Sequence, residues 1–456
     1  MSRHVLLVAG AALLFALPAR AADPQIPFEK YQLPNGLTVV LAEDHRLPQV
    51  AVCILYHVGA ANQTKGKSGF AHLFEHMMFS GAKHIGPAPF KVLESIGTTA
   101  GALANGTTNF DRTNYFEVVP SNELPTALWL ESDRMAFLLD VLDDKKLSIQ
   151  RDVVSNERRQ SYENRPYGTA WLRMMDILFP QPHPYYDGVI GTIAEIQSAS
   201  LEEIKAFFRR FYGVNNASLV LVGDFDSAVA KKVIEQYFGP IPRGPDVPVP
   251  PPQQPALPRE IRETVNDKVA EVPKLTMAWT GVRAYSADEP AGDMLSLILG
   301  DGRTSRLYRS LVFDKKIASQ VGAVNLGTRI AGYFTVDAVA SSGHAADEML
   351  PPVQAILDDI RRNGVTAAEL ERAKRKYLAS RLREVERMGG FGGKADLLNA
   401  YETYTGDPGF LPRDLERYRA VTPEAVKAFA QKYLPDDHRL ILTIVPAGGA
   451  AGGAMP

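Results

Sequence analysis

The sequence predicts an α+β protein of two homologous domains, each a mainly antiparallel sheet covered by helices, set as a half-clamshell. Three observations carry this prediction. Leu201-Glu202-Glu203-Ile204-Lys205-Ala206-Phe207 aligns with Pro423-Glu424-Ala425-Val426-Lys427-Ala428-Phe429 at an offset of 222. Each copy is followed by an apolar strand, Leu219 to Val222 and Leu440 to Val445, and similarity at that separation marks duplicated domains rather than a solenoid. Between the copies lies a proline-rich connector with Pro248, Pro250, Pro251 and Pro252, which sustains neither a helix nor a central strand. The chain, at 456 residues, also exceeds the size at which one core stops growing. The predicted boundaries are a first domain over 22–238, a linker over 239–260, a second domain over 261–446 and a flexible tail over 447–456.

At the N-terminus, Arg3 and His4 precede an apolar run from Val5 to Leu17, and Pro18-Ala19-Arg20-Ala21-Ala22 supplies the small residues of a cleavage site. Residues 1–21 therefore read as a signal peptide, and the run is too short for a retained membrane anchor. The expected residence is the periplasm, with no membrane span after cleavage. Cys53 is the single cysteine, so the fold must rest on its core rather than on disulfides. The net charge of -2 and the lack of a basic block exclude an electrostatic case for nucleic acid or an anionic membrane as partner.

Along the mature chain, Pro34-Asn35-Gly36 is a turn before the strand Leu37 to Leu41, and Val50 to Tyr56 is a second strand. A helix then spans Gly69 to Phe79, with Ser68 expected as its cap. Pro89 to Ile96 reads as a helix stopped by Gly97. Gly101 to Thr108 leads into the strand Thr113 to Val119, a short strand paired with a longer one. Such an edge offers unpaired backbone groups to an extended peptide, though an ordinary solvent-facing hairpin explains it as well. Long helical patterns follow over Asn122 to Leu142 and Lys146 to Tyr162. In the second copy the corresponding patterns are Ala291 to Leu299, Ala345 to Arg362 and Ala367 to Met388, and Gly389 to Gly393 reads as a flexible joint.

The first of these helices carries the chemistry. His72 and His76 are four residues apart, so they stack on one helical face about 6 Å apart along the axis, with Glu75 beside them. This is the H-x-x-E-H order of the inverted zincin motif. Two imidazoles and one carboxylate suit zinc and leave a fourth tetrahedral position for a water, whose proton Glu75 can take. By spacing alone the carboxylate ligand stays open among Glu157, Glu163 and Glu131.

The H-x-x-E-H helix, Val153-Val154-Ser155-Asn156-Glu157, Asn164-Arg165-Pro166, His183-Pro184-Tyr185, Gly188-Val189-Ile190-Gly191-Thr192 and Asn215 to Phe225 together resemble the pitrilysin or insulinase family of zinc peptidases. The short-chain bacterial branch, akin to mitochondrial processing peptidase, is the nearest in length. The resemblance implies that His72, His76 and Glu157 hold one Zn2+ per chain, that Glu75 is the general base, and that Asn105 on the edge strand holds substrate. It also implies a zinc metalloendopeptidase that hydrolyses peptides or unfolded polypeptide segments. The competing reading is an exported peptide-binding or assembly subunit of the same fold without turnover.

Two departures from the family pattern stand out. An arginine and a tyrosine seven apart in the second half, which help members that act alone to hold substrate, fall here on Val312 and Ser319. The resemblance then implies a heterodimer with a related subunit that supplies the pair, since a homodimer would lack it too. An acidic residue seven before the glutamate ligand falls on Gln150. The second copy carries Met294, Leu295, Leu297 and Ile298 in its counterpart of the motif helix and is expected to be structural.

Overall fold

The computed structural model describes residues 24–448. The signal-peptide reading of residues 1–21 and all but the first two residues of the predicted tail fall outside them. The first half runs through β1 (Glu29–Gln32), β2 (Thr38–Glu43), β3 (Gln49–Tyr56), α1 (Phe70–Met77), α2 (Pro89–Ser95), β4 (Ala104–Thr108) and β5 (Thr113–Pro120). It continues with α3 (Leu124–Phe137), α4 (Asp144–Arg158), α5 (Gly168–Leu178), α6 (Ile193–Ser198), α7 (Leu201–Phe211), β6 (Ala217–Gly223) and α8 (Ser227–Phe238). The second half holds β7 (Ile261–Asp267), β8 (Lys274–Thr280), α9 (Glu289–Gly300), β9 (Ala318–Gly327) and β10 (Gly332–Ala340). It ends with α10 (Leu350–Asn363), α11 (Ala367–Glu386), α12 (Lys394–Thr405), α13 (Leu411–Arg419), α14 (Pro423–Tyr433) and β11 (Leu440–Pro446).

The two sheets repeat one topology. Their strand orders are β1-β2-β6-β3-β5-β4 and β7-β11-β8-β10-β9. In each, one parallel pair, β2 with β6 or β7 with β11, adjoins an otherwise antiparallel ladder. The duplicated helix of the sequence is α7 in one half and α14 in the other, each opened by a hydroxyl cap, Ser200 or Thr422, that accepts a free backbone N–H of the first turn. The α+β class and the twofold repeat are thus both present.

The halves are less separate than their sequence boundaries suggest, because each lends the other a helix. On the first sheet, Val39, Leu41, Val52 and Ile54 face the core under α1 and α3. The alternate residues Val40, Ala42, Ala51, Cys53, Val220 and Val222 pack with Ala395 and Leu398 of α12, from the second half. Reciprocally, Ala170, Met174, Met175 and Leu178 of α5 cover Ala278, Leu440, Leu442 and Ile444 of the second sheet. Burial on both faces explains why Val50 to Tyr56 is an unbroken apolar run rather than an alternating one. Cys53 sits inside this layer, and burial pushes its thiol well above the ordinary range, which fits a packing residue and not a nucleophile.

Several local expectations shift. The stretch from Asn122 to Leu142 is α-helical only over α3, with 3-10 turns at Ser121–Glu123 and Leu138–Asp140 on either side of it. Beyond α4 the chain widens into a π-helical turn, Arg159–Glu163. The glycine run is not a free joint: the Phe391 ring packs edge-on to Phe116 with centroids 5.0 Å apart. A Cβ on Gly389 would come within 2.5 Å of Ala51 Cβ, so glycine here permits close approach to the first sheet.

Candidate metal centre

The motif helix α1 starts without the expected hydroxyl cap. Its N-cap is Gly69, at φ 80°, and Ser68 instead donates its hydroxyl to the Glu195 carboxylate, which also accepts the Ser68 backbone N–H at 2.7 Å. The reason is crowding: a Cβ on Gly69 would lie 2.7 Å from the Ile190 carbonyl, and one on Gly191 would lie 2.4 Å from the Gly69 nitrogen. Glycine at both positions lets the loop before α6 press against the start of α1. One free amide of the first turn, that of Ala71, is satisfied by Gln63 Oε1 at 3.1 Å.

Buried Phe70, Leu73, Phe74 and Met77 fix the rotation of α1, which turns His72, Glu75 and His76 toward α4 and β4. Glu157, in the last turn of α4, completes a cluster. Its Oε1 lies 3.6 Å from His72 Nε2 and its Oε2 3.2 Å from His76 Nε2, and the imidazole centroids are 4.9 Å apart. One ligand atom from each residue lies within 4.8 Å of the others, the one such group of three or more metal-ligating side chains among the described residues. Around a tetrahedral zinc with bonds of about 2.0–2.2 Å, ligand atoms sit roughly 3.3–3.6 Å apart, so the donor set and its spacing fit that ion. Burial holds His72 below the usual histidine range, which keeps the imidazole neutral and able to coordinate. The hydrogen bond from His76 lowers Glu157 and keeps it ionised. His72 Nδ1 is buried without a hydrogen-bond partner, so core packing orients this ring.

Glu75 lies beside the cluster rather than in it. Burial raises its proton affinity, while Thr108 Oγ1 donates to its Oε2 at 2.6 Å and opposes that rise. Gly106 leaves the room: a Cβ there would be 3.1 Å from Glu75 Cγ. Thr108 and Gly106 are partners that spacing rules could not supply, because both arrive on a strand paired with β5. The rival carboxylates are elsewhere: Glu131 is buried in an ion pair with Arg134, and Glu163 faces Arg158 at 3.5 Å.

The expected substrate contact, Asn105, is on the outermost strand of the first sheet, but its side chain does not share the face that meets Glu75. It alternates with Gly106 and Thr108, donates through Nδ2 to the Gly101 carbonyl at 3.3 Å, and accepts the Gly106 N–H at 2.8 Å. Gln150 replaces the expected acid with a weaker tie, Nε2 to Ser80 Oγ at 3.4 Å, which links α4 to the segment after α1. Val312 packs against the second core, and Ser319 Oγ donates to the Ala340 carbonyl at 3.1 Å.

The second half has a counterpart site. Leu219 and Ile441 correspond through the offset of 222, and the pairings run Leu219–Ile54–Tyr115–Gly106 in the first sheet and Ile441–Met277–Val336–Ala323 in the second, so Ala323 stands where Gly106 does and Asn325 where Thr108 does. Asn325 Nδ2 in turn donates to Asp293 Oδ1 at 2.8 Å. Asn325 thus ties the edge strand to Asp293 of α9 as Thr108 ties it to Glu75 of α1. The apolar residues expected here are core: Met294, Leu295 and Ile298 are buried and Leu297 packs against them, while Glu289 and Asp293 are the carboxylates of the same helix. The two carboxylates are held by protein groups: Tyr418 donates to Asp293 at 2.6 Å, and Arg417 Nη2 pairs with Glu289 at 2.9 Å.

Known proteins agree with this layout. Residues 38–174 match the profile of Insulinase (Peptidase family M16), and residues 198–377 match that of the Peptidase M16 inactive domain. The zinc protease PqqE of Helicobacter pylori is 29% identical over 371 residues, covering 80% of this chain and 82% of that protein. A crystal structure of a protease from Helicobacter pylori superposes with a TM-score of 0.85 at 26% identity, covering 93% of this chain and all of that one. A chain of complex III2 from Candida albicans shares the fold at a TM-score of 0.75 and 14% identity, over 91% of this chain and 95% of that one. With one M16 profile on each half and the His72, His76 and Glu157 group in the first, the chain belongs to the M16 family of peptidases, that of insulinase and pitrilysin.

Proposed function

We propose that the protein is a zinc-dependent endopeptidase that hydrolyses peptides or unfolded polypeptide segments. The observation that carries this reading is the convergence of His72, His76 and Glu157, from two helices, next to a buried carboxylate that is not needed to hold an ion. When bound, zinc supplies a Lewis acid that polarises the scissile carbonyl and eases the ionisation of water. Glu75 takes the proton of the attacking water and delivers it to the departing amine nitrogen. Thr108 holds one Glu75 oxygen in place for both transfers.

Substrate docks as an added strand on β4. The Leu103 carbonyl and the Asn109 N–H both bond toward β5, so by antiparallel alternation Gly106 and Thr108 direct their backbone groups outward. Asn105 occupies the outward Gly106 N–H until a peptide carbonyl displaces it, which gives this residue a gating part in binding. Val312 and Ser319 support a related partner subunit that brings the missing arginine and tyrosine, in preference to a homodimer. The leader pattern supports residence in the periplasm, and no helix among the described residues is long and apolar enough to cross a membrane.

The test is Glu75→Gln, assayed alone and with candidate partner chains. The variant is expected to keep zinc and lose chelator-sensitive cleavage by at least about a hundredfold. A zinc-replete variant that still turns over substrate would exclude Glu75 as the base. A wild-type chain that binds peptides and cleaves none, with or without a partner, would favour the exported binding subunit instead.

A further inference from the structure

The helix that supplies Glu157 carries two aliphatic side chains that the fold does not use. Inward, α4 buries Leu147 and Val154 in the first core. Its outward positions are polar, among them Asp144, Lys145, Ser148, Asp152 and Asn156, with two exceptions: Ile149 is 49% exposed and Val153 is 42% exposed. Both are β-branched, so they neither favour the helix nor gain burial in return. Their position is not scattered. Ile149, Val153 and Glu157 are successive members of one i, i+4 row, a single ridge of the helix. Side chains on a helix lean toward its N-terminus, so the Glu157 carboxylate leans back over the turn that carries Val153.

The spacing of this ridge has a natural complement. Val153 lies about 6 Å and Ile149 about 12 Å from Glu157 along the helix axis. An extended peptide places alternate side chains on one face roughly 6.6 Å apart. A peptide laid along α4 therefore presents every second side chain in step with Glu157, Val153 and Ile149. Across the cluster, β4 offers the backbone edge and Gly106 adds no side chain to narrow the space. The apolar ridge is continuous with the candidate metal centre, and this continuity selects the polypeptide substrate as its occupant.

We propose that Ile149 and Val153 form the wall that receives apolar substrate side chains at two alternating positions on one side of the scissile bond. The inference rests on the peptidase reading above and adds a substrate class to it: segments with aliphatic or aromatic residues in alternation, as in unfolded strands. It makes Ile149 and Val153 specificity residues, with no part in holding the metal or moving the proton.

The experiment measures affinity, so that it stands apart from turnover. Two fluorescent peptides, alike except for Leu or Asp at the alternating positions, are titrated into zinc-loaded Glu75→Gln protein. Burying a leucine-sized side chain predicts about tenfold tighter binding of the leucine peptide. Val153→Asp and Ile149→Asp, each added to this background, are expected to abolish most of that preference while zinc content and melting temperature stay put. Val153→Gln and Ile149→Gln, which add no charge, are expected to weaken it in the same direction. A preference that persists in all four variants overturns the proposal, as does a change of oligomeric mass with unchanged peptide preference, which would make the ridge a subunit contact. If wild-type protein cleaves neither peptide yet the preference holds and the variants erase it, the ridge is upheld and the peptidase reading fails.

Discussion

In the first half α1 meets the edge strand β4 through Glu75, which Thr108 bonds; in the second half α9 meets β9 through Asp293, which Asn325 bonds. The strand order around the two helices is the same. What differs is how the polar atoms are satisfied. The first site leaves His72 Nε2, His76 Nε2 and the Glu157 carboxylate facing one another with space for an ion. In the second half Asn325 and Tyr418 bond Asp293 and Arg417 bonds Glu289, so the α9 carboxylates already have partners. A duplicated scaffold thus separates into one half with a candidate metal group and one half whose carboxylates are held by its own side chains.

The largest effect should come from breaking this asymmetry at its polar groups. His76→Ala is expected to release zinc and abolish cleavage, because two ligands hold the ion far less tightly than three. Asp293→Asn in α9 of the second half is expected to leave one zinc per chain. Metal analysis of the two purified variants checks both, and zinc retained in His76→Ala would refute the ligand assignment.

A second comparison concerns the borrowed helices. If α5 and α12 join the halves into one cooperative unit, Leu178→Ala should cost about 2–5 kcal/mol by cavity formation and lower a single unfolding transition shared by both halves. Two separated transitions in calorimetry, with only one displaced, would show that the halves melt independently.

The smallest effect tests the bonded carboxylates of α9 by pH. Burial, reinforced by the like charge of Asp293, pushes Glu289 up to about 7 against the Arg417 contact. The folded chain then keeps a proton that the unfolded chain has already released above the ordinary carboxylate range, so stability should fall as pH rises from about 4.5 to about 7. The change is at most about 3 kcal/mol. Urea unfolding of Glu289→Gln across that window should show a flatter profile than wild type; identical slopes would remove Glu289 as the cause.

Much of this was legible in the chain. The helix of α1 could be read from His72 and His76 because helical periodicity is local, and the repeat could be read from α7 and α14 because both copies kept the same apolar spacing. The cap of α1 was misread, since Ser68 had the right chemistry but Ile190 crowds Gly69 from 121 residues away. The tie from Asn325 of β9 to Asp293 of α9 was not legible either, since only the pairing of β9 with β10 brings that strand residue to the helix.

The sequence by itself determined which residues are able to bind an ion, the duplication, and the order of strands and helices, because these depend on residue type and short-range period. The tertiary structure decided which carboxylate joins the histidines, which strand brings Thr108 to Glu75, and which helix covers which sheet. Those are contacts between segments far apart in the chain, and they are set by how apolar faces pack together, which no local spacing encodes.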